Sequence, residues 1–458
     1  MNPQSRAPWW RPAVASDGAG GWAQPPLATA PPPSAMPFRA LLVFTFILLI
    51  APQSIFPALA PLRIALIAAV LGVATYVVDC FIRRRPLVRF TPEMRIAACL
   101  LGWAVVTLPF SYWVGGSVSF LADVYLKTLI VFWLLGHVVT TVARLRTIAW
   151  ALSLMAVPLA LGGVENFLSG NFLHEGLPPD QARIVGYQAA LTANPNDLAL
   201  MLNLILPLTI ALLLANRNPL VRAAALGIIG LDVIGIVITF SRAGFVTLAV
   251  TFATYLWVLR KRPERRWGYL VIVLALAAAP FLPSSYLERL STITDVDSDP
   301  TGSSQARWSD TVAAAGYVAQ HPLIGAGVGM DVLALNEVRG ARWTEVHNAY
   351  LQYAVDLGIP GLILFLLLLR ACLKSVGRVQ RMAQASAAAD LYWLAGGIRV
   401  SLIAFAVAAP FHPAGYHFYF YYIAGLAVAA GAIADRGARE RADATPTPAT
   451  PVRSWRAA

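Results

Sequence analysis

Long apolar runs separated by short polar connections fill most of the chain between residues 38 and 434. A bilayer-crossing helix needs about 20 mostly apolar residues, so the pattern predicts about 12 spans. They lie at 38–57, 60–82, 94–113, 118–139, 147–166, 194–215, 221–240, 243–259, 267–283, 352–371, 390–409 and 415–434. Pro52 and Pro57 interrupt the first run, which is therefore expected to be broken or partly interfacial. Residues 1–36, rich in Pro, Ala and Gly, read as a disordered tail, and 436–458 as a second tail. The predicted organisation is helices 1–9 over 37–283, a long connection over 284–351 and helices 10–12 over 352–435. The predicted class is an all-α integral membrane protein.

Composition agrees and removes an alternative. A chain of 458 residues could hold two or three soluble domains, but 58% of it is hydrophobic and only 13% charged. Soluble domains have about 45–50% apolar and about 25% charged residues. The net charge of +12, from 35 Lys and Arg against 23 Asp and Glu, has a topological origin. Arg83-Arg84-Arg85, Arg144 and Arg146, Arg217 and Arg222, Arg260 to Arg266, and Arg370 to Arg381 all fall in even-to-odd connections. Basic loops stay cytoplasmic, which predicts that both termini are cytoplasmic. The charge then implies membrane topology, not nucleic acid. Cys80, Cys99 and Cys372 lie in or beside apolar runs and form neither a disulfide framework nor a metal pattern.

Two connections on the opposite side are long, 167–193 and 284–351. Trp308, Val312, Ala315, Val318 and Ala319 have helical spacing, so a helix is expected over the outer face. The chain has no evident internal repeat, which counts against an inverted-repeat transporter.

Few cations are expected outside. Arg242 stands in the tight turn Thr239-Phe240-Ser241-Arg242-Ala243-Gly244, and Arg307 opens the loop helix. Arg183, Arg289, Arg339 and Arg342 are on the same side. A guanidinium suits phosphate, being planar, always charged and bidentate; snorkelling, or pairing with Glu288, Asp310 or Glu345, is the plainer alternative. His347 stands where the long loop re-enters the membrane, and an imidazole near neutrality accepts and returns protons. His321 reads as a turn residue. His412 and His417 flank a short outer turn, and Tyr416 to Tyr422 reads as an interface belt. The glycines of His321-Pro322-Leu323-Ile324-Gly325-Ala326-Gly327-Val328-Gly329 read as a tight backbone turn, since no strand precedes them. Asp295, Asp297 and Asp299 lack the Gly and the terminal Glu of a calcium loop. Asn194-Pro195-Asn196-Asp197 reads as a helix cap with Pro in the first turn. Lys127 and Asp232, each about 13 Å deep at 1.5 Å per residue, are expected to pair with each other.

Several of these features occur together and in order. They are Asn194-Pro195-Asn196 opening a span, Thr239-x-Ser241-Arg242-x-Gly244, and a long outer loop. That loop carries Arg307-Trp308, His321-Pro322-Leu323-x-Gly325-x-Gly327 and His347-Asn348-x-Tyr350-Leu351. The set resembles the bacterial O-antigen ligase and polymerase superfamily, over about 183–361. The resemblance implies a multi-pass glycosyltransferase of the bacterial inner membrane, of the C type and its metal-independent branch, without a cofactor. It implies a polyprenyl-diphosphate-linked glycan donor and, in the ligase branch, a lipid A–core acceptor at the periplasmic face. By motif, the family's catalytic His and two Arg fall on His347, Arg242 and Arg307. Arg183, Asn194, Asn196, Arg339, Arg342, Asn348 and Tyr350 are the candidate substrate-binding residues. The chemistry is compatible: two Arg can stabilise a leaving diphosphate while His347 takes the acceptor's proton. A single displacement would invert the anomeric configuration, and a pair of outer carboxylates suited to a retaining glycosidase is absent from the sequence pattern. The alternatives are an O-antigen polymerase, which has two substantial outer loops where here one dominates, and a lipid-linked glycan transporter.

Overall fold

The computed structural model describes residues 34–173, 183–189, 191–260 and 303–444. The described chain is all-helical apart from one isolated bridge between Phe172 and Ile184. Helix α1 (Met36–Ile50) ends at Ala51, whose φ of 46° is left-handed. The four-residue α2 (Pro52–Ile55) and a 3-10 turn (Pro57–Leu62) lead into α3 (Ile64–Ile82). The first apolar run is thus broken at the prolines, because Pro disfavours helical backbone in the residue before it. Next come α4 (Pro92–Thr107), α5 (Val114–Phe120), a π turn (Leu121–Tyr125) and α6 (Leu126–Val138). The described bundle continues with α7 (Val142–Leu168), α8 (Pro195–Ala215), α9 (Pro219–Ile238) and α10 (Arg242–Leu259). Two helices of the long connection follow, α11 (Ser303–Gln320) and α12 (Asp331–Arg339). The chain then forms α13 (Ala349–Ala385), α14 (Ala389–Ala408) and α15 (Phe418–Ala444).

Ten helices among the described residues are long and apolar enough to cross a membrane. Helix α1 is shorter, at 15 residues. The expected span 267–283, Arg289 and the Asp295–Asp297–Asp299 cluster lie outside the described residues. Helix α15 continues to Ala444, beyond residue 435 where the sequence suggests a tail.

Helices α8 and α15 form the enclosed centre, and the others surround them. Small residues allow close approach: a Cβ on Gly244 would come within 2.7 Å of Ala199, and one on Gly397 within 2.8 Å of the Pro207 carbonyl. In a lipid solvent such shape fit replaces the hydrophobic effect as the force between helices. Interior hydroxyl pairs join helices, as in Ser153 with Thr209 at 2.8 Å and Ser401 with the Leu204 carbonyl at 2.8 Å. Outer helices expose large apolar side chains such as Val70, Phe81, Leu226 and Ile234, as lipid contact requires.

Two expectations are corrected, and the expected loop helix is present as α11. Lys127 does not meet Asp232; it bridges Asp123, one turn away on its own helix, at 2.9 Å and largely exposed. A long Lys side chain reaches the polar boundary at lower cost than the interior. Asp232 is fully buried, and neither carboxylate oxygen has a hydrogen-bond partner among the described residues. The aromatic stretch Tyr416 to Tyr422 is core, not belt: Tyr416, Phe420 and Tyr421 are fully buried because α15 is packed on all sides. On α11 the face that packs is Ala313, Ala314 and Tyr317, while Trp308 and Val312 are exposed. Alanines permit the close approach to α12 that a bulkier stripe would prevent.

Candidate functional site

The long connection is anchored by a break in α13. Gly358, at φ 67°, interrupts that helix and frees the carbonyls before it. Val355 and Asp356 carbonyls accept from the backbone N–H groups of Ala326 and Gly327 at 2.7 and 2.8 Å, and Ile359 donates to the Pro322 carbonyl. The Asp356 carboxylate accepts from the N–H groups of Gly329 and Met330, both at 3.0 Å. Gly325, Gly327 and Gly329 all have positive φ. A Cβ on Gly325 would come within 2.4 Å of the Val355 oxygen. The glycine turn is therefore a backbone dock, and it fixes α11 and α12 on the end of the bundle.

Helix α11 then presents one stripe, Ser304, Arg307, Trp308 and Thr311, to a cavity of about 230 Å³. The spacing i, i+3, i+4, i+7 is that of one helix face. Arg242, Ala243 and Val246 at the start of α10 form a second wall, Pro410 and Phe411 a third, and His347 closes it. The structure thus brings His347, Arg242 and Arg307 to one cavity, from three separate stretches of chain.

Beside Arg242 lies a network of buried and half-buried polar groups. Ser241 caps α10 by accepting from the Gly244 N–H at 3.1 Å, and its hydroxyl donates to Asn196 Oδ1 at 2.9 Å. Arg183 donates to the same oxygen at 2.6 Å. The Asn196 carbonyl faces His412 Nε2 at 3.1 Å, and the Ala408 carbonyl faces His412 Nδ1 at 3.0 Å. Phe240, just before Ser241, is left-handed at φ 51°.

On the other side, Asp310 of α11 pairs with Arg339 at 2.6 Å in a buried contact and with Arg342 at 3.5 Å. Burial, and next the charge of Arg307, push the pKa of His347 down to about 4; Asp310 opposes them. The ring is therefore neutral near pH 7. Its Nδ1 is buried without a hydrogen-bond partner among the described residues. Glu345 is pushed up to about 7, first by burial, then by Asp331 and Asp197. Burial also lowers His412, as do Arg307 and Arg183, while its two carbonyl partners pull the other way.

The seven candidate substrate-binding residues are not among the described residues lining the cavity. Each has a partner within the protein. Asn194 caps α8 by accepting from the Asn196 N–H at 2.9 Å, and Asn348 caps α13 by accepting from Tyr350 and Leu351. Tyr350 donates to the Ala406 carbonyl at 2.9 Å. Arg339 also donates to Thr344, and Arg342 to Ser309. Arg183 and Asn196 hold each other. His321 stacks on Tyr317 where α11 ends, as a turn residue would. Sequence reasoning missed Pro410 and Phe411 as cavity walls and His412 as a tie. Their one signal was position, in a short turn on the same side as Arg242.

The profile of the family described as O-antigen ligase matches residues 204–366. That stretch includes Arg242, Arg307 and His347. No curated protein matches the chain. The ten apolar helices make the chain a multi-pass membrane protein, and its residues 204–366 are similar to the O-antigen ligase family.

Proposed function

We propose that the protein is an O-antigen ligase that transfers a glycan from a polyprenyl diphosphate to lipid A–core oligosaccharide at the periplasmic face. The observation that carries this reading is the single cavity shared by Arg242, Arg307 and His347. In the proposed reaction an acceptor hydroxyl oxygen attacks the anomeric carbon, and the bond from that carbon to the diphosphate oxygen breaks. The bonding pair leaves with the diphosphate, whose growing charge faces Arg242 and Arg307. Donors aimed at developing charge in a site that excludes water are worth about 10²–10³ in rate each. These two fixed positive groups serve the purpose that a divalent ion serves elsewhere, so the transfer needs no metal. The hydroxyl proton passes to His347. Arg307 depresses the basicity of His347 in the free protein, and a bound diphosphate offsets that charge. The base therefore strengthens when the donor is present. One displacement inverts the anomeric centre.

The test is glycan transfer by purified protein in chelator, with polyprenyl-diphosphate glycan and lipid A–core acceptor. The expected result is transfer by the wild type and none by His347→Ala. Transfer to a second donor lipid in place of lipid A–core would make the protein a polymerase. Failure with both acceptors, from folded protein and intact donor, would overturn the enzyme reading.

A further inference from the structure

His412 is almost wholly buried, at 1% exposure, and lies behind the cavity. Both of its ring nitrogens face carbonyl oxygens, Asn196 at 3.1 Å and Ala408 at 3.0 Å. A carbonyl only accepts and a neutral imidazole carries one N–H, so in the neutral ring one contact is a donated bond; the tautomer with Nε2–H gives it to the Asn196 carbonyl, the contact that spans two helices. The first contact reaches the opening turn of α8; the second is local, to the residue four back at the end of α14. Asn196 passes the connection on, because its side-chain oxygen takes the Ser241 hydroxyl at 2.9 Å. Ser241 in turn caps α10, whose first residue is Arg242. Pro410 and Phe411, immediately before His412, line the cavity themselves.

We propose that His412 is a positioning residue for glycan transfer: it clasps α14 to α8 and, through Asn196 and Ser241, fixes Arg242 toward the donor diphosphate. The inference rests on the proposed function of the cavity. The clasp has no role in the chemistry and does not touch substrate. Its effect is to keep the turn 239–244 in one register, where a small displacement of the guanidinium costs rate. Phe240 holds that turn in a strained left-handed conformation, which persists only where the surroundings over-determine it. The Asn196–Ser241 link adjoins it, beside the Phe240 ring contact with Phe167.

The experiment is a double-mutant cycle in the transfer assay. His412→Phe fills the space and removes the ring N–H. It is expected to lower kcat/KM about tenfold in the wild-type background and less than about twofold in Arg242→Lys, because coupled residues are not additive. His412→Gln, which can still donate to the Asn196 carbonyl, is expected to recover most of the loss. Ser241→Ala, which cuts the next link, is expected to reproduce the loss and to add little to His412→Phe. Equal losses in both backgrounds, or full activity in His412→Phe, would overturn the clasp. If His412→Phe fails to fold, Ser241→Ala carries the same cycle against Arg242→Lys. An Arg242→Lys protein as active as wild type would instead remove the reading of the cavity as a donor site, and the clasp with it. Retained wild-type sensitivity to Arg242→Lys with additive His412 variants would sink the clasp alone.

Discussion

The two histidines around the cavity are built on opposite principles. On the His412 side, Asn196, Ser241 and His412 are hydrogen-bonded within the protein. On the His347 side, the ring lines a cavity and its Nδ1 has no partner among the described residues. His347 shares that cavity with Arg242 and Arg307, whereas His412 does not line it. The difference teaches which polar residues are scaffold and which are offered to substrate. Residue type alone would have treated the two histidines alike.

The largest expected effect separates the two sides. His347→Ala is expected to lower transfer by about 10²–10⁴-fold, the usual worth of a general base. Binding of the polyprenyl diphosphate, measured separately, should survive. A loss no larger than that of His412→Phe would erase the distinction between the walls. Next come Arg242→Ala and Arg307→Ala, each expected to cost about 10²–10³ in kcat, the scale of a lost oxyanion donor. Retained activity in either would leave the diphosphate with one guanidinium.

The pH profile sharpens the assignment of the base. The proposed base, His347, could accept a proton only when neutral, and its pKa in the free protein is lowered to about 4 by burial and Arg307. kcat/KM reports the free enzyme, so it is expected to stay level as pH falls from 7 toward 5 and to decline through about pH 4. An acid limb centred near pH 7 would point instead to Glu345, whose pKa is raised to about 7 by burial and its acidic neighbours.

Smaller effects concern the frame. Gly358→Ala puts a Cβ at φ 67°, within 2.4 Å of the Leu323 carbonyl oxygen. A loss of about 1–3 kcal/mol is expected from that strain, read as a lower thermal midpoint in detergent. An unchanged midpoint would show that the glycine turn is not what anchors the loop helices. Lys127→Ala is expected to change stability by less than about 0.5 kcal/mol, because its bridge to Asp123 is largely exposed. A large loss would mean that the lysine serves another site.

Much of the fold was legible from one dimension. Runs of apolar residues predicted the spans, Pro52 and Pro57 predicted the break after α1, and Asn194-Pro195 predicted the start of α8. These signals are local: hydropathy over one crossing, a missing N–H, a cap within three residues. The positive φ of Gly325, Gly327 and Gly329 was likewise foreshadowed by their spacing. The site was legible only as a set of residue types on one expected side. The expected Lys127–Asp232 pair failed because depth along a helix says nothing about direction around it. The aromatic stretch at Tyr416 misled for a related reason. Aromatic residues near a span end serve a lipid interface and a packed core equally well, and only the neighbours of α15 decide between them.

The sequence by itself determined an all-helical membrane bundle and a small stock of polar residues in its connections. Those depend on composition and short-range spacing, to which solvent responds directly. Only the tertiary structure decided that Arg242, Arg307 and His347 share one cavity while Arg339, Asn348 and Tyr350 turn to partners inside the protein. That choice depends on which carbonyls, carboxylates and helix ends come within about 3 Å of each group, the reach of a hydrogen bond. Their neighbours come from helices far apart in the chain, and packing alone brings them together.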